Sequence, residues 1–216
     1  MQDNKIKKAI IKILAPFRRI GLKNRDYTII SNNCWGGIIS RNYGLPYNSP
    51  TCGAYFYAKE YLKFLSDINA HINAELEPIS MQDSIYKDVL FPKYGESIVL
   101  GKVLDAEIVF LHYHTFEEAK QKWDRRKKRI NWDNLIVKFN DQNLFSEEDY
   151  YTFADLPYEN KIFFTANEKL KGKKDVVYFP CYEKEGYVVD DIKTSKKYFN
   201  IKKYLNGIYK ITKQFK

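Results

Sequence analysis

Histidine is scarce in this 216-residue chain, three in all, and His112 and His114 both stand at the end of the apolar run 106–111. Two residues apart in extended backbone, their side chains project to one face. Such a pair suits a general base beside a substrate-binding group, or two metal ligands completed by Asp141 or Cys34. A second group follows the β-branched and aromatic run 27–30: Asn32, Asn33, Cys34, Trp35, Gly36 and Gly37, with Asn48, Ser49, Pro50 and Thr51 downstream. Amides and hydroxyls of this kind hydrogen-bond a hydroxylated or phosphorylated ligand. Trp35 packs or stacks, and glycine N–H groups can face an oxyanion. Cys34 is also a candidate nucleophile in a Cys-His-Asp relay. The Trp-Gly-Gly pattern matches neither the P-loop nor the dinucleotide fingerprint.

The third group is basic. Residues 115–130 carry seven Lys or Arg against three Asp or Glu. Trp123 and Ile130 fall on the apolar stripe of a helix, with Arg126 between them in projection, so Arg126 is expected to reach inward to a carboxylate or a phosphate. Arg125 and Arg129, four apart, share another face. The competing reading is a solvated helix face whose cations favour the helix C-terminus. Aromatic residues are not interleaved with these cations, which speaks against nucleic acid as a partner.

The elements that must position these groups alternate. Strands are expected at 27–30, 106–111, 134–139, 161–165 and 175–179, with a short one at 76–81. Helices are expected at 5–20, 55–72, 115–130, 146–154 and 198–205, Gly207 stopping the last. Loops fill 38–50 and 82–97. Thr115 and Glu118 read as a capping box. Alternation of this kind predicts a single α/β domain over residues 25–216, a Rossmann-like three-layer fold with a mainly parallel central sheet and helices on both faces. In a parallel sheet the carboxyl ends share one rim, where ligands bind in open α/β folds. Asn32, Asn33, Cys34, His112, His114, Asn140, Asp141 and Asn167 are expected to meet there.

Bulk composition is that of a globular protein, with 44% hydrophobic, 29% charged and 16% aromatic residues. The net charge of +9 divides unevenly: residues 1–24 carry +6 and residues 193–216 carry +8, which leaves the body at −5. Nucleic-acid enzymes spread a basic stripe over the fold itself. Basic ends fit contact with an anionic membrane surface, or plain solubility. The 1–24 segment is amphipathic, with Ile6, Ile10, Ile13, Leu14 and Phe17 on one helical face and Pro16 expected to kink or end it. It reads as an interfacial helix on the inner membrane leaflet or as an ordinary helix packed on the domain. Cys34, Cys52 and Cys181 are an odd number without CxxC spacing, which argues against a disulfide framework and structural zinc and for a reducing compartment. No run reaches the ~20 apolar residues of a spanning helix, and no signal peptide is evident. The expected location is cytoplasmic, at or near the inner face of the membrane.

Residues 32–37 (Asn-Asn-Cys-Trp-Gly-Gly), 44–51, 110–113, 116–119, Lys122-Trp123, Arg125-Arg126 and 129–130 resemble a bacterial domain family of unknown function, over about residues 25–180. Its members are commonly labelled exopolysaccharide or capsular polysaccharide biosynthesis proteins. The resemblance implies surface-polysaccharide assembly and no particular reaction. The leading expectation is a transferase that adds a sugar or other substituent to a polysaccharide precursor. His112 and Asp141 would be catalytic. Asn32, Asn33, Trp35, Gly36, Ser49, Thr51, His114, Trp123, Arg125 and Arg126 would bind substrate. The alternatives are a non-catalytic glycan- or partner-binding scaffold and a Cys34-dependent acyltransferase or hydrolase. A sugar nucleotide is the expected donor and no cofactor is called for. Asp190-Asp191 is the sole DxD-like pair, so no metal is expected.

Overall fold

The apolar runs build two sheets rather than one. The computed structural model describes residues 2–207. In chain order the elements are α1 (Gln2–Arg19), β1 (Thr28–Ser31), α2 (Trp35–Asn42), α3 (Ala58–Ser66), α4 (Ile68–Asn73), β2 (Glu77–Ile79), α5 (Lys87–Tyr94), β3 (Val99–Val103), β4 (Ala106–Phe110), α6 (Phe116–Lys127), β5 (Leu135–Asn140), α7 (Glu147–Asp155), β6 (Lys161–Thr165), β7 (Val176–Tyr178), α8 (Asp191–Tyr198) and α9 (Ile201–Leu205). The first sheet is parallel in the order β1-β5-β6-β7, and its helices lie on both faces.

Residue alternation along the strands assigns the faces. Ile30, Val137, Phe139 and Phe163 point to the core shared with α3, α6 and α7. Ile29, Ile136, Ile162 and Phe164 point to the core shared with α2, α8 and α9. Odd and even positions of one strand serving opposite cores is what a sheet buried on both faces requires.

The strand 106–111 corrects the expected topology. As β4 it pairs antiparallel with β3, which in turn pairs with β2. Val103 opposite Ala106 leaves a two-residue turn, with Leu104 at φ 54°. Hairpin turns of this length favour glycine or asparagine at positive φ, so a Leu-Asp turn gave no signal in the sequence. The two sheets are joined through residues 55–56. Tyr55 bridges Val109 through hydrogen bonds of 2.8 and 2.9 Å, and the Phe56 N–H donates to Asn32 O at 2.9 Å.

Several helices also differ from expectation. The helix expected at 55–72 is two, interrupted where the Asp67 side chain accepts from the Ala70 N–H at 2.9 Å and starts α4. The final helix expected at 198–205 is α9, capped by Asn200, and it is preceded by an unexpected helix, α8, capped by Asp190. Residues 87–94, expected in a loop, form α5 with Pro92 inside it. Thr115 caps α6 as expected, but Glu118 returns to the His114 N–H rather than to Thr115.

Helix α1 runs through Pro16 to Arg19. Its apolar stripe is not the face that packs. Ile13 and Phe17 are each 66% exposed, and Ile6, Ile10, Leu14 and Ile20 are exposed with them. The buried side carries Ala15, seated on Gly44, where φ is +61° and an added Cβ would lie 2.9 Å from the Ala15 Cβ. No described helix is long and apolar enough to cross a membrane.

Candidate functional site

At the carboxyl end of β5 the strand carries Lys138, 0% exposed, on the same face as Asn140. A lysine cannot be buried charged without an anion. Asp191, 2% exposed at the start of α8, supplies it. Around this ion pair the Asn33 side chain donates to Asp191 Oδ2 at 2.9 Å and accepts from Lys138 Nζ at 3.2 Å. Asn140 Nδ2 donates to the same Asp191 oxygen at 2.9 Å, and Asn32 Nδ2 donates to Asn140 Oδ1 at 2.7 Å. The amides expected to bind substrate therefore hold β1, β5 and α8 together. Burial lowers the Lys138 pKa and Asp191 opposes that shift.

Asp141 is likewise occupied by the fold. Its Oδ2 accepts from Thr165 Oγ1 at 2.7 Å and the Ala166 N–H at 2.8 Å, and its Oδ1 accepts from the Val188 N–H at 2.7 Å. Burial raises its pKa and these hydrogen bonds oppose the rise. Ser49 and Thr51 share a 2.9 Å hydrogen bond beside the outer edge of β1. Trp35 is a core residue, edge-on to Phe164 and donating to Ser195 Oγ at 3.0 Å. Gly36 has no room for a side chain, since a Cβ would lie 2.9 Å from Ile29 Cγ2. Gly37 is packed on the Cys52 thiol in the same way. The Trp-Gly-Gly motif thus lets α2 lie close against β1 and the 51–54 segment. Trp123 is also core, edge-on to Phe64 and Phe110.

One of the groups the fold leaves unmatched is Arg126. The residue is 6% exposed, so its guanidinium reaches inward. Its Nη1 donates to Cys52 O at 2.7 Å and to Tyr113 Oη at 2.6 Å, and its guanidinium carbon lies 5.1 Å from the Tyr47 ring centroid. Its Nε is buried with no hydrogen-bond partner, and among the described residues no carboxylate pairs with it. Lys122 lies over the Tyr113 ring at 5.0 Å. Gly53, with φ at +88°, packs against the Tyr113 ring, and its carbonyl accepts from the His112 N–H at 3.2 Å. His112 itself is exposed, and its pKa is lowered from 6.5 first by desolvation and then by the charge of Arg41. Cys34 lies beside this loop, its Sγ 3.9 Å from Ala54 O. Burial and Asp191 push its thiol up to about 11, which is the opposite of what a nucleophile needs.

The arrangement can hold an anion and offers a neutral imidazole beside it. It stands apart from the expected rim, of which Asn32, Asn33 and Asn140 do meet around Asp191, and Asp141 and Asn167 line one cavity, while the histidines are elsewhere. The histidines belong to a turn after β4, in the antiparallel sheet, both exposed on either side of the buried Tyr113. His114 is exposed and its backbone is held by Glu118, while Arg125 is exposed on the outer side of α6. Among the described residues no group of three or more His, Cys, Asp or Glu side chains is placed to hold a metal ion. A separate cavity of about 490 Å³ opens at the ends of β5 and β6, between Asn143, Asn167 and Tyr187.

Over residues 4–213 the sequence matches the family described as a domain of unknown function, DUF1919. The chain belongs to this family. The DUF1919 match takes in nearly all of α1, both sheets and the surroundings of Arg126. A protein of Haemophilus influenzae, described as uncharacterized, is 32% identical over 183 residues, which is 83% of this chain and 82% of that protein.

Four contributors to the site were not singled out from the sequence for it: Tyr47, Arg41, Tyr113 and the Cys52 carbonyl. Lys138 carried a readable signal, a single charge inside the apolar strand 135–139, which demands a buried counter-ion. A backbone carbonyl leaves no signal of residue type at all.

Proposed function

We propose that the protein is a transferase of surface-polysaccharide assembly that takes a phosphorylated sugar, such as a sugar nucleotide, as donor. The observation that carries this reading is the buried, carboxylate-free Arg126, bonded to Tyr113, whose ring lies under Lys122 and whose chain neighbour His112 feels the charge of Arg41. A guanidinium without a counter-ion in the fold is a site for phosphate oxygens, which it matches in charge and in fork geometry. His112, kept neutral by desolvation and Arg41, acts as the general base that takes a proton from the acceptor hydroxyl. The polysaccharide precursor is then the acceptor, and no nucleic acid is involved. The polysaccharide assignment draws on the resemblance of the 32–37 and 110–130 motifs. The same reading places the work in the cytoplasm at the inner face of the membrane, where the basic ends of the chain meet anionic lipid.

Calorimetric titration with a panel of nucleoside-diphosphate sugars tests the proposal. One or more should bind wild type, and Arg126→Met should weaken that binding by ~10–100-fold, as expected for a lost charge-assisted contact. His112→Ala should leave binding within a few-fold while polysaccharide production falls. Absence of binding to every member of the panel would favour the scaffold reading instead. Full production by His112→Ala at normal protein level would remove its catalytic role.

A further inference from the structure

A cavity of about 360 Å³ lies between the C-terminal turn of α1, α2, α8 and α9, on the opposite side of the sheet from Arg126. This volume is within the range of small-molecule sites, ~300–1,000 Å³. Its floor is apolar, formed by Trp35, Ile39 and Phe199. Its polar rim carries Arg18, Lys196 and Lys202, and no acidic residue lines it. One Arg18 nitrogen, Nη1, is buried with no hydrogen-bond partner among the described residues. Lys202 is held in place by its bond to Ile20 O at 3.0 Å, at the end of α1. The cavity is therefore a cationic mouth over an apolar floor, built for an amphiphile with an anionic head.

The neighbouring surface says where that amphiphile comes from. Arg18 lies on the packed side of α1, with Ala15, whereas Ile10, Ile13, Leu14 and Phe17 form an exposed apolar stripe on the side facing away. An amphipathic helix with an apolar face turned outward and lysines along its flanks lies in a lipid–water interface. With α1 seated there, the mouth beside its last turn is at headgroup depth.

We infer that this cavity binds the phosphate headgroup of a membrane lipid, Arg18 and Lys196 holding the phosphate and Trp35 and Phe199 meeting the adjoining carbons. The inference rests on the membrane contact proposed above, and it is separable from it by experiment. Titration of the full chain with monomeric dihexanoyl phosphatidate, dihexanoyl phosphatidylcholine and inorganic phosphate reads the cavity without a bilayer. Saturable binding of phosphatidate is expected, at least tenfold tighter than inorganic phosphate, with none for phosphatidylcholine. Arg18→Gln and Lys196→Gln should each weaken it by about tenfold, and Lys197→Gln, outside the cavity, should not. Equal affinity for phosphatidate and inorganic phosphate would overturn the lipid assignment, as would unchanged binding in Arg18→Gln. Flotation on phosphatidylglycerol vesicles reads the membrane contact, which the doubly substituted Ile13→Ser, Phe17→Ser chain should lose. A wild-type chain that stays off vesicles yet binds monomeric phosphatidate overturns the membrane contact alone. One that floats, with cavity variants that bind monomeric lipid as wild type does, overturns the cavity assignment alone.

Discussion

A lysine in the middle of a parallel strand tolerates burial through a single partner, and Lys138 meets this condition through Asp191 with three asparagines around it. Removing one ion of such a pair strands the other. Lys138→Met should lower stability to urea by about 3–5 kcal/mol, and Asp191→Leu added to it should restore much of the loss. A double substitution no more stable than the single one would show that the asparagines, not the ion pair, set the requirement. His112 is shifted by two effects that act in the same direction, desolvation first and then the charge of Arg41. Its folded pKa lies below 6.5, so the unfolded chain binds the extra proton more readily and stability from this group rises with pH through that interval. NMR titration of its ring should give a midpoint below 6.5, and Arg41→Gln should move the midpoint upward. A midpoint indifferent to Arg41 would separate the two residues.

Elements were more legible than their partners. The five strands read from β-branched and aromatic runs all exist, because a doubly buried strand leaves a continuous apolar string. Which sheet each joined was hidden wherever the turn chemistry was unusual, as at Leu104, or where the strand was diluted by Gly101 and Lys102. The 115–130 helix was legible in its cap and stripe, and Arg126 turned inward as its projection predicts. Helix α1 was legible as amphipathic, but periodicity alone does not say which face meets protein. Its outward stripe has a direct consequence: Ile13→Ser and Phe17→Ser should each change the unfolding free energy by less than ~0.5 kcal/mol, as surface substitutions do. A loss of several kcal/mol in thermal or urea unfolding would mean that the stripe is covered within the molecule. The opposite holds for α2, where Gly36→Ala sets a methyl 2.9–3.0 Å from Ile29 and should cost about 1–3 kcal/mol.

At the scale of the whole molecule, charge and apolar surface are sorted by position. The ends of the sequence carry the excess cations and the body is acidic, and among the described residues Arg18, Lys196 and Lys202 gather where α1, α8 and α9 converge. Binding to anionic vesicles should therefore fall steeply between low and ~0.5 M salt, where the screening length shrinks to a few ångströms. Salt-independent flotation would assign the contact to the apolar stripe alone. The site was legible in part because charged side chains announce themselves in a sequence. What assembles them, the 47–56 segment bridging two sheets, works through main-chain atoms such as Cys52 O and Gly53 O, which residue identity does not encode. That segment has one more effect. An open sheet exposes two borders that invite another chain to add a strand. Here the outer border of β1 is already engaged by Thr51 and Phe56, and the other border is β7, three residues long and followed at once by Phe179 and Pro180. Neither border is a ready template, so the parallel sheet is closed to extension by a strand from another chain.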